Sequence, residues 1–183
     1  LEKTLPQDAI LTNGAGNFAI WVHRFYRYTG FRTQLAPTSG AMGYGVPSAV
    51  AAKLVHPDRP VLAFCGDGGF MMTGQELATA VQYDLPIVVL VINNGMYGTI
   101  RMHQEREYPG REHGTALANP DFVRYAEAFG GFGARVERTA EFGPALEQAL
   151  GFIGRHRRPA LIELVVDPQV ITPGRSLDQI AGR

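Results

Sequence analysis

Gly66-Asp67-Gly68 ends the apolar run Pro60-Val61-Leu62-Ala63-Phe64-Cys65. After 24 intervening residues Asn93-Asn94-Gly95-Met96-Tyr97-Gly98 ends a second run, Leu85-Pro86-Ile87-Val88-Val89-Leu90-Val91-Ile92. Continuous apolar runs of this kind read as strands buried on both faces, as in parallel sheets. Between them, Thr73 to Tyr83 carries apolar residues at 77, 78, 80 and 81, the spacing of an amphipathic helix. Strand, helix and strand make one crossover unit. Each half of the motif then lies just past the carboxyl end of a strand, where open α/β sheets place their ligands, and Asp67 and Asn94 are expected side by side. A hard cation such as Mg²⁺ takes oxygen ligands, usually one or two carboxylates with phosphate oxygens and water completing the octahedron. One Asp with one Asn suits a Mg²⁺ ion carried by a diphosphate.

The rest of the chain alternates in the same way. Short strands are expected over 9–12 and 33–35 and helices over 18–28 and 47–55; further on come helices over 120–129 and 142–156 and strands over 133–136 and 160–166. This alternation implies an α/β fold, a doubly wound, mostly parallel sheet with helices on both faces. A length of 183 residues suits one domain and is too short for two substantial ones, so residues 1–183 are read as a single domain. The polar segment 102–117, broken by Gly110 and Gly114, reads as a mobile active-site loop, helical only at its start.

Seventeen basic residues balance seventeen acidic ones, which gives no sign of nucleic acid as a partner. A single cysteine excludes an intrachain disulfide framework and fits a reducing cytosol. No apolar run approaches the ~20 residues of a membrane-spanning helix, and Leu1-Glu2-Lys3-Thr4-Leu5-Pro6 is no signal peptide. The expectation is a soluble cytoplasmic domain with no membrane partner. Cys65 ends an apolar strand with no cationic neighbour in sequence, so it reads as a buried small residue rather than a nucleophile. Arg155-His156-Arg157-Arg158 reads as the solvated end of a helix.

Four motifs together carry a family likeness: Ser39-Gly40-Ala41-Met42-Gly43-Tyr44-Gly45-Val46-Pro47, the Gly66-Asp67-Gly68 and Asn93-Asn94 pair, Gln75-Glu76-Leu77-Ala78-Thr79-Ala80, and Asn119-Pro120-Asp121-Phe122. A bare Gly-Asp-Gly is also an ordinary turn tripeptide. The set resembles the C-terminal, diphosphate-binding domain of the acetolactate synthase-like family of thiamine diphosphate enzymes, along nearly the whole chain.

The resemblance implies thiamine diphosphate and Mg²⁺ as cofactors. It implies that Asp67, the Asn94 side chain and the main-chain carbonyl of Met96 ligate Mg²⁺. Gly66, Gly68 and Gly69 would let the backbone approach the phosphates; Gly69 stands where many relatives carry Ser. Gly16 and Asn17 are implied neighbours of the diphosphate, as are the first N–H groups of a helix opened by Tyr97, Gly98 and Thr99. The Gly40 carbonyl would accept a hydrogen bond from the aminopyrimidine. Met42 would wedge between the two cofactor rings and bend the molecule, although outside this motif a Met would be read as core packing.

Thiamine diphosphate supplies the nucleophilic carbon and the electron sink for 2-oxo acid chemistry, which leaves binding, orientation and electrostatics to the protein. The implied function is the cofactor-binding domain of a 2-oxo acid decarboxylase or carboligase, a transferase or lyase, inactive as an isolated chain. In the family the activating Glu comes from a pyrimidine-binding domain, here in the same longer chain or in a separate subunit, and across a subunit interface. A homo-oligomer, dimer or tetramer, is implied, and the start at Leu1 without Met reads as that of a fragment. His103 stands where acetolactate synthases carry a loop Trp. This points toward a related decarboxylase, carboligase or acyl-CoA lyase, with His103 and His113 as candidate proton carriers. A lone loop His is more often simply solvated.

Two other readings stay open on the residues. Gly14-Ala15-Gly16-Asn17-Phe18-Ala19 matches the G-x-G-x-x-A part of a dinucleotide fingerprint, which would make the chain an NADP-dependent oxidoreductase domain. No Asp or Glu lies between Asp8 and Asp58 to hold a ribose, so only a site with Arg24, Arg27 or Arg32 on the extra phosphate would serve. The third reading is a non-catalytic binding or assembly domain, against which the intact Asp67 and Asn94 argue.

Overall fold

Six parallel strands form the central sheet of the computed structural model, which describes residues 1–183. They are β1 (Ile10–Asn13), β2 (Gln34–Leu35), β3 (Val61–Gly66), β4 (Val88–Asn93), β5 (Phe132–Val136) and β6 (Ala160–Val165), in the order β2-β1-β3-β4-β6-β5. The two most apolar runs in the sequence became the centre, because only central strands are covered on both faces. Alternate residues serve opposite layers: Val61, Ala63, Cys65, Val89 and Val91 point into one core, and Leu62, Phe64, Val88 and Leu90 into the other.

The first core is closed by α2 (Gly45–Val55), α3 (Asp67–Thr73), α4 (Leu77–Gln82) and α6 (Phe122–Ala128). The second is closed by α1 (Ala19–Phe25) and the long amphipathic α7 (Thr139–His156). This is the doubly wound α/β fold expected, with an entirely parallel main sheet. No helix is long and apolar enough to cross a membrane.

The strand order fixes where a ligand can enter. From β1 the chain moves outward to β2, then returns across β1 to β3 on its other side. The connections leaving β1 and β3 therefore diverge to opposite faces, α1 on one and α3 on the other. A crevice opens between the carboxyl ends of such strands. The Gly14 loop and Gly66-Asp67-Gly68 form its two sides.

The structure departs from the sequence reading at two places, the start of α3 and the C-terminal segment. The helix expected from Thr73 starts at Asp67, as α3, passes through a 3₁₀ turn at Gly74–Glu76 and continues as α4. Gly68 and Gly69 are poor helix formers, so no local signal announces α3. Phe70 does it instead: its ring is fully buried, edge-on to Phe122 and Tyr125 at 5.5 Å from each. The segment 102–117 is helical at its start, as expected, over its first six residues. α5 (Gly98–Glu107) persists because buried Glu105 takes Arg101 one turn earlier and the Gly110 N–H beyond the helix end. The last 17 residues, which carried no pattern, form a small hairpin of β7 (Val170–Thr172) with β8 (Arg175–Ser176), then α8 (Leu177–Ile180), capped reciprocally by Ser176 and Gln179.

Candidate active site

Asp67 is the last residue a strand delivers and the first of a helix. β3 places it at the carboxyl edge of the sheet, and Phe70, one turn on, pins α3 beneath it. Its side chain is only 2 % exposed. Oδ2 accepts from the Gly95 N–H at 3.0 Å and from Asn119 Nδ2 at 2.7 Å, and neither bond uses Oδ1. Burial raises the Asp67 pKa above the ordinary aspartate range, while the Asn119 amide and nearby N–H groups act in the opposite direction.

β4 pairs with β3 in parallel, Gly66 opposite Ile92, so the turn after Asn93 arrives beside Asp67. That turn, with Gly95 at φ +69°, is held from outside. Tyr97 N–H donates to the Thr115 carbonyl and Leu117 N–H to the Gly95 carbonyl, each at 2.9 Å. The returning chain thus zips onto the motif and delivers Asn119. Asn94 Oδ1 accepts from the Met96 N–H at 3.3 Å and the Met96 carbonyl from the Gly98 N–H at 2.9 Å. Each oxygen keeps a second lone pair.

A cavity of about 640 Å³ lies between these elements. Every cofactor position expected from the sequence lies on its wall: Gly16, Asn17, Gly40 and Met42, then Gly66, Asp67, Gly68 and Gly69, then Asn94, Met96, Tyr97, Gly98 and Thr99. The first turn of α5 opens onto the cavity, where a helix start has N–H groups without intrahelical partners and favours anions. Thr99 Oγ1 accepts from the Asn17 N–H and donates to Asn17 Oδ1, both at 3.0 Å, which ties the glycine loop to α5. Close approach requires Gly68, since a Cβ there would lie 2.4 Å from Cε1 of Tyr97. Gly69 is different: its nearest neighbour would be the Gly43 nitrogen at 3.6 Å.

His103 is not on the cavity wall. It is exposed on α5, with Nδ1 facing Nη2 of Arg106 at 2.9 Å. His113 is exposed as well, its backbone bonded to the Gln104 side chain. Cys65 is buried against α2 with its thiol pKa pushed up to about 12, which fits an inert core residue.

Several wall or support residues had no assigned role in the sequence reading. Asn119 stands 52 positions from Asp67, and only its place in Asn119-Pro120-Asp121-Phe122 drew notice. Trp21, Phe64 and Leu164 line an apolar end of the cavity, and Ile171 of the C-terminal hairpin closes one side. Their strand and helix positions look like ordinary core, so no sequence signal separates them from it.

Fold and cavity together define an α/β domain with a ligand cavity at the carboxyl edge of its sheet, bordered by a helix start and one buried carboxylate. Residues 14–164 match the model of a family described as thiamine pyrophosphate enzyme, C-terminal TPP binding domain, and the chain belongs to that family. It is 39% identical over 178 residues to the acetolactate synthase large subunit of Corynebacterium glutamicum, covering 93% of this chain and 28% of that protein. It is 38% identical over 184 residues to the acetolactate synthase of Mycobacterium bovis, covering 94% of this chain and 29% of that one. Among solved structures, the thiamine diphosphate-dependent 4-hydroxybenzoylformate decarboxylase of Rhodococcus jostii RHA1 superposes with a TM-score of 0.82 and 32% identity, over 90% of this chain and 31% of its own. The chain thus spans under a third of the length of these relatives. It is a C-terminal thiamine diphosphate-binding domain, similar to those of acetolactate synthases and of this decarboxylase. The NADP reading of the Gly14 loop finds no support here, and β2 ends at Leu35, followed by Ala36, without the acid a ribose would need.

Proposed function

We propose that this chain holds the diphosphate end of thiamine diphosphate through Mg²⁺, in an enzyme that decarboxylates or joins 2-oxo acids. Asp67, Asn94 Oδ1 and the Met96 carbonyl are the protein's ligands. The observation that carries the reading is electrostatic. Three acidic residues are buried, and Glu105 and Glu163 both pair with arginine, whereas Asp67 makes no ion pair. A buried carboxylate without a cation is costly, and a cation arriving with the ligand would reverse that penalty. No three His, Cys, Asp or Glu side chains cluster as an all-protein metal cage. A single carboxylate with two neutral oxygens fits a Mg²⁺ ion that brings phosphate oxygens of its own.

The chain's residues then divide the work. The Gly16–Asn17 loop and the first turn of α5 supply main-chain donors to the diphosphate, and Gly68 admits it by lacking a Cβ. Met42 supports the bend of the cofactor, and Gly40 offers its carbonyl to the aminopyrimidine. A pyrimidine-binding domain, in the same longer chain or another subunit of a homo-oligomer, completes the site. The relatives' names support both chemistries: one is a 4-hydroxybenzoylformate decarboxylase, the others are acetolactate synthases. His instead of Trp at position 103 leaves a decarboxylase, another carboligase and an acyl-CoA lyase as equal readings beside acetolactate synthase. In this reading the enzyme is cytoplasmic, with Cys65 kept as a buried thiol.

Thermal shift with thiamine diphosphate, inorganic diphosphate and NADPH, each with and without Mg²⁺, tests it, because a ligand of the native state stabilises by mass action. A Mg²⁺-dependent rise with thiamine diphosphate and none with NADPH is expected in the protein that carries this domain. A rise with NADPH alone would overturn the proposal.

A further inference from the structure

The carboxyl edge of the sheet carries a continuous polar chain that crosses four elements and ends on the buried carboxylate of the site. Arg135 on β5 places Nη1 3.4 Å from both oxygens of Glu163 on β6. Glu163 Oε1 accepts from Asn93 Nδ2 at 2.7 Å, at the end of β4. Asn93 Oδ1 accepts from Asn119 Nδ2 at 3.0 Å and from the Gly95 N–H at 3.0 Å. Asn119 Nδ2 and the Gly95 N–H each reach Asp67 Oδ2 as well. Glu163 is 2 % exposed, and Asn93 and Asn119 are partly buried, so bulk water does little to relax this order.

We infer that Glu163, Asn93 and Asn119 form a positioning relay that fixes the orientation of Asp67 and of the Asn94–Met96 turn toward a Mg²⁺-diphosphate, an inference that rests on the function proposed above.

Donor and acceptor polarity fixes the order of these side chains. An ionised carboxylate only accepts hydrogen bonds, and an amide presents a donor at one end and an acceptor at the other. Glu163 therefore obliges Asn93 to turn its NH₂ toward β6 and its oxygen toward Asn119. That oxygen obliges Asn119 to present its own NH₂, and the same nitrogen then donates to Asp67. With Asn119 reversed, its carbonyl oxygen would face the Asp67 carboxylate. The Gly95 N–H is drawn by the same two acceptors, which orients the turn carrying Asn94 Oδ1 and the Met96 carbonyl. The anchor of the relay is rigid, because Asn93 also accepts through its carbonyl from the Val166 N–H at 2.9 Å within the sheet edge. Outer partners that orient metal ligands typically change metal affinity by about ten- to hundredfold when removed.

The test uses the protein that carries this domain, with Mg²⁺ titrated calorimetrically at saturating thiamine diphosphate and the ligand-free Tm measured alongside. N119A is expected to weaken Mg²⁺ by roughly tenfold or more with a ligand-free Tm close to the parent's. N93D sets a carboxylate against Glu163 and is expected to weaken Mg²⁺ further. Adding E163Q to N93D restores one carboxylate and one amide with the ends exchanged, and is expected to recover about half or more of the logarithmic loss. A merely structural role would move the Tm and leave Mg²⁺ affinity untouched. N119A within twofold of the parent, or a double variant no tighter than N93D, would overturn the relay. If N93D does not fold, N119A alone decides. A parent that binds no thiamine diphosphate with Mg²⁺ would overturn the cofactor reading and the relay with it, and so differs from a parent that binds while the variants bind equally well.

Discussion

Asp67 and Glu105 are equally inaccessible, at 2 % and 1 % exposure, yet the protein treats their charges in opposite ways. Glu105, near the end of α5, receives the Gly110 N–H at 2.9 Å, the Arg101 guanidinium from one turn back and Arg183 from the chain end at 3.3 Å. The Gly110 N–H first, and then the two arginines, hold its carboxyl below the ordinary glutamate range. Asp67 receives only neutral donors, and burial leaves its pKa raised. One carboxylate is completed inside the chain and locks a helix; the other is oriented and left short of positive charge. On the function proposed above, the difference separates a structural acid from one prepared for a ligand, although both sit in the same domain and both are inaccessible.

The strongest way to break this contrast is to remove each acid. Asp67→Ala is expected to weaken Mg²⁺-dependent thiamine diphosphate binding by about a thousandfold or more, roughly 4 kcal/mol. Its ligand-free stability should stay level or rise, since an unpaired buried charge is gone. Calorimetric titration and a denaturant melt read the two quantities, and an unchanged affinity would falsify the assignment of Asp67. Glu105→Ala should do the reverse, losing about 3 kcal/mol of stability, the lower end of the range for breaking a buried pair because Arg183 is half exposed. A loss below about 1 kcal/mol in urea would show that the pair is solvated like a surface bridge.

Neighbouring glycines sharpen the comparison inside the first turn of α3. Gly68→Ala forces a methyl against the Tyr97 ring and should lower stability by about 1–3 kcal/mol, with weaker cofactor binding. Gly69→Ala meets nothing closer than 3.6 Å and sits in a helix, so it should be neutral or stabilising by up to ~1 kcal/mol. Matched thermal melts of the two variants check the pair.

The smallest effect is on pH dependence. The raised pKa of Asp67 means that its contribution is present at low pH and lost as pH rises through the folded value, somewhere above the ordinary range near 4. Glu105 has the opposite sign, contributing above the unfolded glutamate value and losing that contribution as pH falls through its lower folded one. In ligand-free protein, the Tm advantage of Asp67→Asn over the parent should shrink as pH is lowered from 7 toward 4. The deficit of Glu105→Gln should hold to about pH 5 and shrink only at more acid values. Parallel curves for both variants would remove the distinction.

Much of the site was legible because its chemistry is concentrated in short motifs at strand ends. Asp67 and Asn94 could be paired from one crossover's length, and the glycine and Met42 positions came with the family likeness. What was illegible came from far along the chain. Asn119 reaches Asp67 only because residues 115–117 zip onto the Gly95–Tyr97 turn. Glu163 reaches Asn93 across 70 positions because β6 pairs with β4. The start of α3 was hidden behind two glycines, where ring packing by Phe70 outweighs local propensity. The end of α5 is held because Glu105 finds arginines at positions 101 and 183, the latter unreachable by any local pattern.

By itself, then, the sequence determined the alternating layers, the central strands and the identity of the motif residues, because hydrophobic period and glycine placement act within a few residues of where they are written. Only the tertiary structure decided which buried acids would be paired with arginine and which would be left without a cation. That choice depends on the partners brought within hydrogen-bond reach by strand order and loop return, and a buried charge is governed by its neighbours in space rather than in sequence.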